Sequence, residues 1–303
     1  MTLLGLLARR WHSGGREDSA EDARPPGRSA ASGERPGGGR LRRPGAGPAR
    51  GARLFRHELR GELLLYVRSR ELAFFTFLLP IVFFVLLGST YGNDHIKSEG
   101  GVRGSNFLEA GMIGYGAISI AFAGLAIVVV IRRETGVLKR LRATPLPAPA
   151  YIAALLSAFL TAFAVEVVGL VVLGRVFFGI GAPDRVLSLV LALLLGAVSF
   201  CGLGIGITSL IRSAEGASAV INAIYLPMSF IAGAFFSPHS FPTFLRWVAD
   251  VLPLTYFLRL VRGIMLHGHE IWSQPGSVAA VAAWGIVGVL VAVRTFRWEP
   301  YEG

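Results

Sequence analysis

Apolar residues in this chain gather into long runs instead of alternating with polar ones. Six runs stand out, at about Leu72–Gly88, Ala110–Ile131, Ala150–Leu173, Val186–Ile211, Ala217–Phe236 and Ser277–Val293. Each approaches or exceeds the roughly 18 residues that read as a membrane-crossing helix. At ~1.5 Å per residue the shortest reaches roughly 25 Å against a hydrocarbon core of about 30 Å, so flanking residues must help it across. Pro80 lies inside the first run, where a membrane helix accommodates it as a kink. The pattern predicts an all-α polytopic membrane protein with six transmembrane helices.

The stretches between the runs differ in kind. Residues 1–50 are rich in Arg, Gly, Pro, Ser and Ala; such a segment buries too little apolar surface to offset its ordering entropy and reads as a disordered arm. Residues 51–71 alternate charge with Leu54, Leu59, Leu63, Leu64 and Val67, which fits either an amphipathic helix lying in the membrane interface or a helical extension of the first run. Residues 72–303 then form the six-span domain. The connection between the fifth and sixth runs is too apolar for a solvent loop, yet Pro238, Pro242 and Pro253 break it up. It is expected to form two short amphipathic helices re-entering the outer leaflet. In the first, Phe244, Leu245, Trp247 and Val248 make an apolar face while Arg246 and Asp250 point outward; the second spans Leu254–Leu266.

Composition supports the lipid environment. Charged residues make up 16% of the 303-residue chain, against about 25% in soluble domains, and mean hydropathy is +0.57. A net charge of +11 raises nucleic acid as a partner, but no basic face interleaved with aromatics is present and that class is set aside. The arginines instead flank the spans. The N-terminal arm, the 132–142 segment, Arg212 and the tail with Arg294 and Arg297 are basic, whereas loops 89–109 and 174–185 are nearly balanced. Six spans with both termini cytoplasmic satisfy the positive-inside rule at every loop, which fits the inner, plasma membrane. The lone Cys201 rules out an intrachain disulfide and reads as a packed residue.

One interruption is unusual. "RRETGVLKRLRATPLP", residues 132–147, holds five basic side chains against Glu134. Val137, Leu138 and Leu141 form a narrow apolar strip, and Pro145 disfavours helical geometry at Thr144, ending the helix there. Two readings stand side by side: a cytoplasmic helix inserting its ridge into a soluble partner, or a topogenic basic loop that also holds anionic lipid.

This stretch resembles the coupling-helix segment of type-2 ABC transporter permeases, whose pattern runs approximately R-E-x-G-T-L-x-R-L-x-A-T-P. Arg133, Glu134, Gly136, Val137, Leu138, Arg140, Leu141, Ala143, Thr144 and Pro145 match it, with valine in place of threonine at 137. A second block, residues 212–263, is similar to the same family's end region through Pro227, Gly233, Phe235, Phe236, Pro238, Leu245, Ala249, Pro253, Leu254, Thr255 and Tyr256, with Leu252 where asparagine is usual. The resemblance covers about residues 51–300. It implies the permease subunit of an ATP-driven exporter, paired with a second permease copy as homodimer or heterodimer and with cytoplasmic ABC ATPase subunits. The substrate it implies is amphipathic: a drug, a secondary metabolite or a lipid-linked molecule. ATP and Mg would sit on the ATPase, and this chain is expected to bind no cofactor itself. The sequence agrees, because a phosphate-binding loop needs G-x-x-x-x-G-K-[ST], whereas Lys97 and Lys139, the only lysines, follow Ile96 and Leu138. An ATPase-independent scaffold and a secondary transporter are the alternatives.

Other candidate residues carry weaker chemistry. Glu166 in the third run and Asn222 in the fifth are candidates for the pathway or for hydrogen bonds between helices. Gly202, Gly204 and Gly206 in the fourth permit close helix approach. His267, His269 and Glu270 are read as loop residues rather than metal ligands, because histidines two apart do not share a helix face.

Overall fold

The computed structural model describes residues 55–57, 59–64, 77–142 and 148–295, with side chains at all of these except 141, 142, 148 and 149. The 1–50 arm, the first five residues of the first predicted span, Thr144, Pro145 and the side chain of Leu141 therefore lie outside the described residues. Residues 55–57 and 59–64 are helical.

From there the chain forms α1 (Leu79–Tyr91), a two-stranded hairpin of β1 (His95–Ile96) and β2 (Val102–Arg103), and then the long helix α2 (Gly104–Glu134). The hairpin is antiparallel, with His95 opposite Arg103. Eight residues of α2, Ala117–Gly124, are wound as π-helix between two α-helical stretches. After a tight turn come α3 (Val137–Arg142), α4 (Ala148–Phe178), α5 (Val186–Ile207), α6 (Ala214–Ile231), α7 (Thr243–Val251), α8 (Pro253–His267) and α9 (Pro275–Thr295). The local causes are legible. Ser213 caps α6 by accepting the Gly216 amide at 3.1 Å, and Pro253 opens α8 where its missing N–H costs nothing.

Among the described residues, four helices are long and apolar enough to cross a membrane: Gly104–Glu134, Ala150–Phe178, Val186–Leu210 and Pro275–Thr295. These answer to the second, third, fourth and sixth predicted runs. At ~1.5 Å per residue, the 31 residues of α2 extend about 46 Å, so one end carries the β-hairpin and the opposite end carries the α2–α3 turn. The most apolar window of α2 is 78% buried and that of α9 only 22%, which puts α2 at the centre of the bundle and α9 at its edge. Exposed faces elsewhere are apolar: Val165, Val168, Val172 and Val176 line one side of α4, and Ile286, Val287 and Leu290 one side of α9. Such stripes in water would drive aggregation, and against lipid tails they are ordinary surface.

Two expectations are corrected. Glu109 was grouped with the loop 89–109, but α2 begins at Gly104 and buries it. The reason is the hairpin, which closes the connection within residues 92–103. The second correction concerns α8. Leu254, Phe257, Leu258, Leu260 and Val261 are all buried within the protein, so this helix is wedged among α2, α5 and α9. Thr255, Arg259 and Arg262 share one polar face of α8, and its apolar face packs on these neighbouring helices instead of lipid. The preceding α7 does keep an amphipathic face, with Phe244, Trp247, Val248 and Val251 exposed.

Candidate functional site

The basic turn is built on the last residues of α2. Thr135 donates its hydroxyl to the Ile131 carbonyl at 2.7 Å, and the Gly136 amide donates to the Arg133 carbonyl at 3.0 Å. Gly136 has φ +71°, a left-handed backbone that glycine adopts without a Cβ penalty and that reverses the chain into α3. The Arg140 amide then donates to the Gly136 carbonyl at 3.1 Å, and its guanidinium reaches the Thr135 carbonyl at 3.1 Å.

The side chains of this segment divide between inside and outside. Arg133 is 1% exposed: its Nη1 donates to the Thr208 carbonyl at 2.9 Å, its Nη2 donates to the Ile211 carbonyl, and its Nε pairs with Glu134 at 2.7 Å. Leu138 is likewise buried and belongs to the hydrophobic core, so the apolar ridge expected to face a partner turns at this position into the chain's own helices. Val137 is half-buried, while Lys139 and Arg140 are exposed. Arg132 faces another way, with both guanidinium nitrogens on the Glu62 carboxylate at 2.6 and 2.7 Å and a bond to the Tyr151 hydroxyl at 2.7 Å.

At the opposite end of the bundle, Gly233 has φ +90° and a Cβ there would lie 2.5 Å from Pro238. Phe235 is buried against Phe83, Tyr115 and Phe230, whereas Phe236 is exposed. Ser237 donates to the Glu99 carboxylate at 2.6 Å, joining this segment to the hairpin loop. The Tyr256 hydroxyl donates to the Asp250 carbonyl at 2.7 Å, and Asp250 also pairs with Arg259. Arg262 lies 3.6 Å over the Phe107 ring and donates to the Gly233 carbonyl at 2.5 Å. Burial pulls this guanidinium down to about 9, with Glu99 opposing.

With this geometry established, comparison with known families gives a match: the family model described as ABC-2 type transporter aligns with residues 53–266. The chain belongs to the ABC-2 type transporter family. No curated protein matches it. Residues 53–266 include both ends just described, and this ABC-2 membrane permease domain is not itself an ATPase. ABC-2 permeases generally work with an ABC ATPase.

Within this ABC-2 domain the intramembrane candidates have definite neighbours. Glu166 is buried on α4 facing Gly116 of α2, where a Cβ would lie 2.2 Å from its Oε2, and neither carboxylate oxygen has a hydrogen-bond partner. Glu109 faces Gly174 in the same interface, 2.6 Å from a Cβ placed there. Asn222 is half-buried on α6. The glycines of α5 serve two neighbours: Gly202 and Gly206 meet α9, and Gly204 meets the π-helical stretch of α2 at the Phe122 carbonyl. His267 and His269 stack at 5.6 Å between centroids, and Glu270 pairs with Arg185 at 3.1 Å. Sequence reasoning placed Arg132 in the basic stretch but missed its partners Glu62 and Tyr151, and Thr208 and Ile211, as parts of the turn-end site. Glu62, one of the few acids in the basic stretch before the first span, was the available signal. The two carbonyls carried none.

Proposed function

We propose that this permease domain is the transmembrane subunit of an ATP-driven exporter, with the basic turn as its coupling element. In this reading the chain has six spans, the α1 and α6 segments completing the four long helices, and both termini and the α2–α3 turn are cytoplasmic. A separate ABC ATPase holding ATP and Mg docks against the turn, and a second permease copy completes the pathway. The observation that carries the proposal is the split within the turn. Lys139 and Arg140 are exposed, while Arg133 is bonded to the carbonyls that end α5. A push on the exposed residues is thereby transmitted to two helices at once. Packed and hydrogen-bonded connections of this kind are one route by which coupling travels, and the guanidinium supports such a route between the two helices.

An apolar groove of about 420 Å³ along α5, α6 and α9, lined by Phe200, Leu203, Met228, Trp284 and Val287, supports an amphipathic substrate. Mostly apolar clefts of this size suit small organic ligands. The test is ATP hydrolysis in nanodiscs by the complex with its candidate ATPase, comparing wild type with Lys139→Asp plus Arg140→Asp. Both side chains are exposed, so folding is preserved. Loss of ATPase association or of coupled hydrolysis supports the reading, and unchanged binding and hydrolysis overturn it.

A further inference from the structure

A second cavity, of about 390 Å³, opens at the hairpin end, remote from the coupling turn. Arg246, Arg259 and Arg262 all line it, with Glu99 and Asp250 as the carboxylates of the lining. Both carboxylates already have partners: Asp250 pairs with Arg259 and Glu99 accepts the Ser237 hydroxyl. Three histidines, His239, His267 and His269, add further nitrogen to the wall.

Two buried groups of the lining are left unsatisfied. Arg262, 8% exposed, spends Nη2 on the Gly233 carbonyl, but its Nε has no hydrogen-bond partner. Thr255, 3% exposed, has no partner for Oγ1. Buried donors in folded proteins are almost always satisfied, and each orphan costs desolvation free energy. The stacking of Arg262 on Phe107 fixes its guanidinium plane, so this one cation is pre-organised, while Arg246 and Arg259 are exposed at the mouth of the pocket.

We propose that this pocket binds a phosphate-class oxyanion, either free phosphate or the phosphate of a lipid headgroup. A tetrahedral anion supplies several acceptor oxygens, enough for the guanidinium of Arg262, the Thr255 hydroxyl and the charge of Arg246. Arginine forks fit such oxygens in charge-assisted bonds stronger than neutral ones. A cationic ligand would meet the like charge of three arginines and leave the Arg262 Nε without an acceptor, and a purely apolar one would leave both orphans unmet. The inference rests on the pocket alone and holds whatever the export reading's fate.

The test uses the full-length protein in dodecyl maltoside, which carries no phosphate, and two probes. Inorganic phosphate is titrated at constant ionic strength against chloride while thermal stability is followed, and native mass spectrometry compares retention of added phosphatidylglycerol with that of added galactosyldiacylglycerol, which has no phosphate. The variants are Arg246→Gln and Thr255→Val, alone and together. Stabilisation by phosphate identifies the free ion, and selective phosphatidylglycerol retention identifies the headgroup; either result supports the site. The double variant is expected to weaken that binding by about tenfold or more. Without ligand, Thr255→Val retains or gains stability, because it removes an unpartnered buried hydroxyl. That split separates ligand contact from a packing role. Wild type that responds to neither probe, or a double variant that binds as wild type does, overturns the proposal.

Discussion

Arg133, in the last turn of α2, donates a hydrogen bond of 2.9 Å to the backbone carbonyl of Thr208 at the end of α5. The two residues are 75 apart in sequence and belong to different apolar helices. A helix end leaves its last carbonyls without intrahelical donors, and α5 finishes in a short 3-10 turn at Thr208–Leu210. Arg133 supplies charged donors at that place, so one guanidinium acts as a cap for α5 while belonging to α2.

Arg133→Ala removes those donors and the countercharge to Glu134. The Thr208 carbonyl keeps the Ile211 amide at 3.3 Å, but the Ile211 carbonyl loses the Arg133 guanidinium. An unpaired buried carbonyl costs about 1–3 kcal/mol, so the variant is expected to lower the thermal unfolding midpoint clearly. Arg133→Lys keeps the charge but cannot reach two carbonyls and Glu134 from one planar fork, and should recover less than half of the loss. Lys139→Ala and Arg140→Ala, at exposed positions, should leave the midpoint within about 0.5 kcal/mol of wild type. Thermal unfolding in detergent by intrinsic fluorescence reads all four. Equal destabilisation by Arg133→Ala and Lys139→Ala would contradict the assignment.

Gly136→Ala isolates the backbone. Nothing lies within 4 Å of a Cβ at this position, so no clash accompanies the substitution and only the left-handed φ of +71° is penalised. The expected loss is about 1 kcal/mol. Asn, which tolerates that region better, should restore part of it. A series of Ala, Asn and Val, followed by chemical denaturation, should therefore rank by tolerance of positive φ and not by side-chain volume.

The two ends of the protein differ in how far the sequence disclosed them. Four long spans and the short α3 were readable because lipid demands long apolar runs and a basic stretch interrupts them. The inward turn of Arg133 and Leu138 was not, since a local strip of Val137, Leu138 and Leu141 looks the same whether it faces a partner or its own core. What decided it was the position of Thr208 and Ile211, fixed by the packing of α5. The burial of α8 escaped for a related reason: periodicity separates apolar from polar faces but cannot distinguish lipid from a neighbouring helix. Gly202 and Gly206, in contrast, were assigned to close helix approach, and they do face α9.

The Arg132–Glu62 pair ties the helical segment before α1 to the end of α2. It is bidentate, with side chains 17% and 9% exposed, so it lacks the screening that makes surface ion pairs weak. A double-mutant cycle with Arg132→Gln and Glu62→Gln is expected to give a coupling free energy of about 1–3 kcal/mol. Each single variant should be the more damaging change, because it leaves the other charge largely buried and unpaired. Strict additivity of the two would show that the pair contributes nothing.

Glu166 predicts the opposite sign. Its carboxylate is buried beside Gly116 with no hydrogen-bond partner, and a charge in such a place is costly. Glu166→Gln keeps the shape and removes the ionisable group, so the thermal midpoint should rise or stay level. A fall of several degrees would mean that the carboxylate is held by an interaction made only in the assembled transporter.

The α5–α9 contact gives the sharpest steric contrast. A Cβ on Gly288 would lie 2.4 Å from the Leu203 backbone nitrogen, a separation that no side-chain adjustment relieves because the obstacle is main chain. Gly288→Ala must therefore push the two helices apart, and a loss of roughly 2–3 kcal/mol is expected from overpacking. Gly169, in the middle of α4, has nothing within 4 Å of its Cβ position. There, Gly→Ala should be neutral or stabilising by up to about 1 kcal/mol through helix propensity. Both substitutions add one methyl group to an apolar helix, so hydrophobicity cannot explain a difference between them. Measured side by side in the same detergent, a large fall for Gly288→Ala with none for Gly169→Ala would establish that α9 is held by backbone proximity to α5. Similar midpoints for the two would mean that the helices are not in close contact in the membrane.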